Sequence, residues 1–316
     1  MVGGDRTRML ATLAGEVRWL PGSTMLEAVR SLRRVGKQEI CHAHMTIAEA
    51  LAVATRRVHG SPVVSTRHFA ARRGTSRAGR LFAPHIARRL ARQVAVSSFV
   101  ARHLERSPDA VIPNGVPASP CVWRASSRGI LVLQRLEREK DTITALRAWQ
   151  ASCLVDEGWA LRVVGGGSEG AGLRSWAASE RVAGVTFSGP TQHVDQEFAK
   201  AAVLLAPAPA EPFGLTVVEA MAAGVPVVAS SSGGHLETVG LLPGAVTFPA
   251  GDATAAATAL RSMLFDTARS KASHDGRQLV EQHFTIGRHV DQLLDEYAKA
   301  HSSAVEPVLH RPAPES

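Results

Sequence analysis

Two carboxylates flanking a glycine define the chemistry available to this chain. In Glu211-Pro-Phe-Gly-Leu-Thr-Val-Val-Glu219 the acids stand on either side of Phe213, Gly214 and Leu215. The preceding run, Ala201 to Pro207, is short, apolar and closed by proline, the pattern of a buried parallel strand. Leu215 to Ala223 is apolar at helical spacing and is stopped by Gly224. Phe213, Gly214 and Leu215 therefore fall at a helix start, where backbone N–H groups lack intrahelical partners and an anion such as phosphate is favoured. Glu219 lies just over one turn into that helix, and helical side chains lean back toward the N-terminus, so its carboxylate can reach a ligand held there. A carboxylate beside a phosphate is repelled unless it accepts hydrogen bonds from hydroxyls, and sugar hydroxyls are the obvious donors. Either glutamate alone would suit the surface of an ordinary βα unit.

This segment resembles the donor-site signature of the family 4 glycosyltransferases, which are retaining, nucleotide-sugar-dependent and of the GT-B fold. The resemblance implies that Glu219 grips the ribose, that Glu211 faces the transferred sugar, and that the backbone of Phe213, Gly214 and Leu215 holds sugar and diphosphate. The next element of the signature is Ala229-Ser-Ser-Ser-Gly233-Gly234-His-Leu-Glu237, in which His235 and Leu236 replace the usual apolar–Pro pair.

Leu131-Val-Leu-Gln134-Arg135-Leu136-Glu-Arg-Glu-Lys140-Asp141 carries two cations in the loop after an apolar strand. Converging on a pyrophosphate, they would stabilise the charge that builds on a leaving diphosphate, although loop cations taken alone are usually solvated. The family has Gly-Arg-Leu and then Lys-Gly here, which gives Arg135 and Lys140 that role. Gln134 and Asp141 stand in place of the glycines, and Asp141 either weakens the hold of Lys140 or caps the following helix. Leu161-Arg-Val-Val-Gly165-Gly166-Gly167 is a strand running into a glycine-rich turn, against which the family's nucleotide lies, making Gly165 a contact. The chain contains no Asp-x-Asp, so a metal-independent site built on Arg135, Lys140 and a helix dipole is expected.

In the N-terminal half, Cys41-His42-Ala-His44 and Val63-Val-Ser-Thr66-Arg-His68 each end a strand, where side chains of an open α/β sheet face the ligand crevice. His42 and His44 point the same way along a strand, but no third ligand accompanies them and no metal is expected. The Val-x-Thr-x-His form matches the family strand whose histidine approaches donor sugar and acceptor, which assigns that role to His68 and, as second choice, His44. Ser97 and Ile112-Pro-Asn-Gly match family positions with structural roles.

The 316 residues suffice for two domains with real cores, and 45% hydrophobic with 20% charged content is ordinary for a globular protein. A single tyrosine argues against a stacking platform, so nucleic acid is not an expected partner. Three cysteines at unrelated spacings read as free thiols of a cytoplasmic protein. No apolar run approaches the ~20 residues that span a bilayer, and the first residues do not read as a signal peptide. The expected location is the cytoplasm, with at most peripheral contact at the inner membrane face. Residues 1–120 hold 19 Lys and Arg against 7 Asp and Glu, including a run from Arg67 through Arg72, Arg73, Arg77, Arg80, Arg88, Arg89 and Arg92. Such a stretch suits an anionic acceptor, an anionic membrane or plain solvation.

The alternation of strands and helices makes the fold class α/β, and the resemblance implies a GT-B arrangement of two doubly wound Rossmann-like domains facing a cleft. Residues 1–118 form the acceptor-binding domain, 119–128 a linker, 129–284 the nucleotide-sugar-binding domain, 285–300 a C-terminal helix and 301–316 a Pro- and Ser-rich disordered tail. Strands are expected near Val17–Leu20, Ile40–His44, Val63–Ser65, Ala95–Ser97 and Ala110–Ile112. They continue near Ile130–Leu133, Leu161–Val164, Val185–Phe187, Val203–Ala206, Val225–Ala229 and Val246–Phe248. The N-terminal domain lacks the family's first strand, since the chain begins almost at the Gly3-Gly4 loop, and an in-frame apolar run is expected just upstream. The implied function is a retaining, metal-independent glycosyltransferase without a cofactor, using a nucleotide diphosphate sugar and a small-molecule, glycan or lipid-linked acceptor. The leaving diphosphate would help to deprotonate the acceptor hydroxyl. The alternative is a catalytically weak sugar-nucleotide-binding or partner subunit.

Overall fold

A computed structural model describes residues 2–3, 20–74, 77–121 and 123–309. It divides into two compact units. One comprises residues 1–96, 100–112 and 291–316, the other residues 97–99 and 113–290.

The second unit is built on a parallel sheet of β7 (Gly129–Leu133), β8 (Ala160–Val164), β9 (Val185–Gly189), β10 (Val203–Ala206), β11 (Val227–Ser230) and β12 (Val246–Phe248). Their order is β12-β11-β10-β7-β8-β9. Strands covered on both faces read as unbroken apolar runs, and β10 and β11 are buried at every residue. Trp149, Leu146, Leu161, Phe248 and Leu260 fill the core between sheet and helices. From β7 the chain winds outward through β8 and β9, then crosses back to β10 and winds the other way. The β7/β10 boundary is thus a topological switch point, where a crevice opens beyond the strand C-termini. The strand expected at Val225–Ala229 begins two residues later. Gly224 N–H donates to Met221 O and Val225 N–H to Ala220 O, so these residues close the preceding helix, Leu215–Ala222.

The first unit holds a parallel sheet of β3 (Cys41–His44), β4 (Val63–Arg67), β5 (Arg92–Ala95) and β6 (Ala110–Val111), in that order. β5 lies earlier than the expected Ala95–Ser97 because its polar start is buried. Gln93 accepts from Arg73 Nη2 at 2.7 Å and its N–H donates to Asp109, so it contributes to the ladder where an apolar residue would be sought. A separate two-stranded parallel sheet pairs β1 (Val2–Gly3) with β2 (Leu20–Pro21). Of the strand expected at Val17–Leu20, residues 17–19 lie outside the described residues.

Two expectations change. The helix Ile286–Leu309 continues through most of the segment read as a disordered tail. Ser302 and Ser303 donate to the carbonyls of Ala298 and Lys299, so these serines sit inside a helix by bonding back to it. Residues 310–316 lie outside the described residues. The arginine stretch is also not one surface patch. Arg67 and Arg73 are buried around Glu49, which is fully covered, with Arg73 Nε 2.5 Å from a carboxylate oxygen, and Arg73 also pairs with Glu105. Arg72, Arg80, Arg88 and Arg89 remain exposed.

Backbone packing holds the β7 and β8 loops together. A Cβ at Gly165 (φ +148°) would stand 1.8 Å from Gln134 O, and one at Gly167 2.4 Å from Leu136 O. Gly165→Ala should therefore destabilise the protein by about 2–4 kcal/mol, since two backbones must separate. Gly172→Ala, in open space on the helix Gly170–Ser179, should stabilise by about 0.5–1 kcal/mol. Urea unfolding of the two variants checks the contrast.

Candidate functional site

At the switch point lies a cavity of about 220 Å³ lined by Leu133, Gln134, Arg135, Lys140, Leu204, Leu205, Ala206, Ala208, Glu211, Gly214, Thr216, Val217 and His235. The loops after β7 and β10 meet there through one ion pair, with Lys140 Nζ 2.5 Å from Glu211 Oε2 and both side chains largely covered.

Lys140 closes a short 3-10 turn, Arg138–Lys140, whose position is set by Gln134. The Gln134 carboxamide donates to Lys140 O and to Thr142 Oγ1, each at 2.9 Å. Asp141 follows in the left-handed region at φ +49°, which an aspartate tolerates in place of glycine. Its side chain makes no capping hydrogen bond to the helix Thr142–Ser152, so the capping role considered for it is not realised. Arg135 lies at the mouth, 63% exposed and 2.9 Å from Glu139, a surface pair of little energetic weight.

The Glu211 loop rests on Gly233 and Gly234. A Cβ at Gly233 (φ +59°) would lie 2.7 Å from Glu211 O, and one at Gly234 2.5 Å from Phe213 Cα, while Gly234 N–H donates to Glu211 O at 2.7 Å. Ser97 Oγ donates to Pro212 O at 2.5 Å. The Phe213 ring is buried edge-on against Phe284, with centroids 5.8 Å apart. These contacts deliver Gly214 (φ +91°) to the start of the helix Leu215–Ala222, whose first N–H groups have no intrahelical acceptor. The positive N-terminal end of the helix dipole thus borders the cavity that Lys140 also lines.

Of the residues singled out from sequence, Arg135, Lys140, Glu211 and Gly214 line this one cavity. Phe213 shapes it from the core, and Leu215 is exposed. Gly165 packs on the Gln134 backbone and is not a lining residue. Glu219 is half-buried outside the lining, its carboxyl held above the usual range by burial and then by Asp195. Thr216 lines the cavity instead. His68 belongs to the first unit, its Nε2 2.9 Å from His44 Nδ1 with the rings stacked at 5.2 Å. Beside them His42 lies between Tyr297 Oη (2.5 Å) and Thr66 Oγ1 (2.8 Å). Among the described residues no group of three or more His, Cys, Asp or Glu could hold a metal.

Two residues carry roles that sequence reasoning missed. Glu237 accepts the N–H groups of Ser98 (2.6 Å) and Phe99 (2.5 Å), a contact between residues distant in sequence that no local pattern announces. His235 is 2% exposed and lines the cavity; the signal available was a polar ring where the motif has an apolar residue. Burial pushes the His235 imidazole down to about 4, with Glu211 opposing and Lys140 reinforcing that shift. An unfolded histidine titrates near 6.5. As pH falls through this window the unfolded chain takes a proton that the folded chain refuses, so stability present at pH 7 is lost toward pH 4. The stability of His235→Leu relative to the parent should therefore rise by about 2 kcal/mol between pH 7 and pH 4.5. Paired urea midpoints at the two pH values measure it, and a pH-independent difference would contradict the assignment.

Comparisons with known proteins give the family and the fold. Residues 123–278 match the family described as Glycosyl transferases group 1, and residues 7–119 match Glycosyltransferase Family 4. Glycogen synthase of Mycobacterium tuberculosis is 30% identical over 286 residues, covering 79% of this chain and 67% of that protein. Among solved structures, Anabaena Alr3699/HepE in complex with UDP and glucose superposes with a TM-score of 0.78 at 17% identity, over 92% of this chain and 88% of that one. Sucrose-phosphate synthase from Thermosynechococcus elongatus gives 0.73 at 21% identity, over 92% and 82%. The chain shares the GT-B fold of these structures and belongs to the family 4 glycosyltransferases.

Proposed function

We propose that this protein is a retaining, metal-independent hexosyltransferase that moves a sugar from a nucleoside diphosphate sugar to an acceptor hydroxyl. The observation that carries this is the convergence of Lys140, Glu211 and the Gly214 helix start in one cavity at the sheet's switch point. The diphosphate lies between Lys140, Arg135 and the unpaired N–H groups at Gly214 and Leu215, where charge developing on the leaving group is met by fixed positive ends. Diphosphate binding exchanges with the Glu211 carboxylate for Lys140, releasing Glu211 to accept from sugar hydroxyls. Glu219 serves the ribose and Gly165 borders the nucleotide. The acceptor oxygen attacks the anomeric carbon on the face from which the diphosphate departs. The anomeric C–O bond to phosphate breaks, and the acceptor proton passes to a diphosphate oxygen, so no protein nucleophile is required. The UDP held by the Anabaena relative supports a nucleotide donor.

The first unit takes the acceptor, with His68 and then His44 as its candidate residues for acceptor chemistry and exposed arginines available to an anionic acceptor or lipid headgroup. No helix among the described residues is long and apolar enough to cross a membrane, which fits a cytoplasmic enzyme with at most peripheral contact.

Transfer assays with sugar nucleotides test the clamp. Lys140→Ala should lower kcat by about 100-fold or more and Arg135→Ala by less, while chelator and added magnesium change the rate by under about twofold. Activity lost to a chelator and restored by a divalent metal would contradict the clamp. The two glutamates separate by assay. Glu219→Ala should weaken nucleoside diphosphate binding by about 1.5–3 kcal/mol through loss of a charged acceptor, whereas Glu211→Ala should lower kcat more than nucleotide affinity. Parent-like binding and turnover in both variants would remove the donor-site assignment.

A further inference from the structure

The cavity holds a polar group that the clamp and the two glutamates leave unused. Three hydrogen bonds fix the tautomer of His235. Ser230 Oγ lies 2.6 Å from Ala208 O, a contact between oxygens that only the serine proton can bridge, so Ser230 donates there. It accepts from Ser232 Oγ at 3.1 Å and faces His235 Nδ1 at 3.0 Å. With its single proton committed, Ser230 can only accept from Nδ1–H, and Nε2 must carry the bare lone pair. The Cδ2–Nε2 edge of the ring runs along Gly214, since a Cβ added there would meet Cδ2 at 3.0 Å and Nε2 at 3.5 Å. Glu211 and Lys140 are the charged groups around it. A neutral lone pair at this point repels a phosphate oxygen and attracts a hydroxyl.

We propose that His235 is a donor-sugar contact, its Nε2 accepting a hydrogen bond from one hydroxyl of the transferred sugar. This rests on the donor-site proposal above. Lys140 and the helix start take the anion, and the imidazole discriminates the sugar attached to it. Because burial keeps the ring neutral at pH 7, the acceptor persists across the physiological range.

The probes are UDP, GDP and ADP, their glucose conjugates, and the monodeoxy analogues of whichever conjugate the parent uses. His235→Leu should bind the free diphosphate within about twofold of the parent but lose about 5- to 10-fold in kcat/KM for the conjugate. One monodeoxy donor should lose the same factor with the parent and nothing further with the variant. Ser230→Ala, which releases the tautomer without touching the sugar, reads the same split at about 2- to 5-fold should His235→Leu not fold. A conjugate used as well as by the parent, an equal loss for diphosphate and conjugate, or additive losses with every deoxy donor overturns the assignment and leaves the donor site standing. A parent chain that binds none of the diphosphates or conjugates overturns the donor site and His235 together.

Discussion

The ion pair between Lys140 and Glu211 joins the loops after β7 and β10 across the mouth of the switch point, and much of the second unit serves to hold its two ends. Both groups are mostly covered, so each depends on the other, because an uncompensated charge in such a place costs more than the pair gains. Gln134 fixes one end by bonding the Lys140 carbonyl, and Gly233 and Gly234 fix the other by lying against the Glu211–Phe213 backbone. The close approach of Gly165 and Gly167 to residues 134–136 carries the same restraint back to β8. In the proposed reaction this pair is the resting form of the site. A diphosphate can displace the carboxylate because it brings more negative charge to Lys140 and a helix start, and the displaced carboxylate then meets hydroxyls instead of a cation.

Most of the second unit was legible in the sequence because parallel strands covered on both faces leave unbroken apolar runs such as Val203–Ala206. The first unit was less so. β5 begins with Arg92 and Gln93, whose burial depends on Arg73, Asp109 and Glu296, partners far away in the chain. Arg67 and Arg73 looked like surface charge and are instead neutralised inside by Glu49 and Glu105. Ser302 and Ser303 looked like loop formers and bond back into a helix.

In the site, sequence placed Lys140, Glu211, Arg135 and Gly214 together, and the cavity lining does bring them together. Side-chain pairing was beyond its reach. That Lys140 meets Glu211, that Asp141 supplies a left-handed turn and no cap, and that Glu237 accepts N–H groups from Ser98 and Phe99 are all set by tertiary approach. His235 shows the same limit, since the motif position marked it as unusual but only the Ser230–Ala208 hydrogen bond determines which nitrogen carries the proton.

In the proposed reaction this cavity exchanges an internal carboxylate for a donor's diphosphate. The most direct measurement is a crystal structure of the chain with a bound nucleoside diphosphate from the UDP, GDP and ADP series. A phosphate oxygen is expected within about 3 Å of Lys140 Nζ and of a backbone N–H at Gly214 or Leu215, with the Lys140–Glu211 pair opened. A nucleotide seated elsewhere, or seated here with the 2.5 Å pair intact, would contradict it.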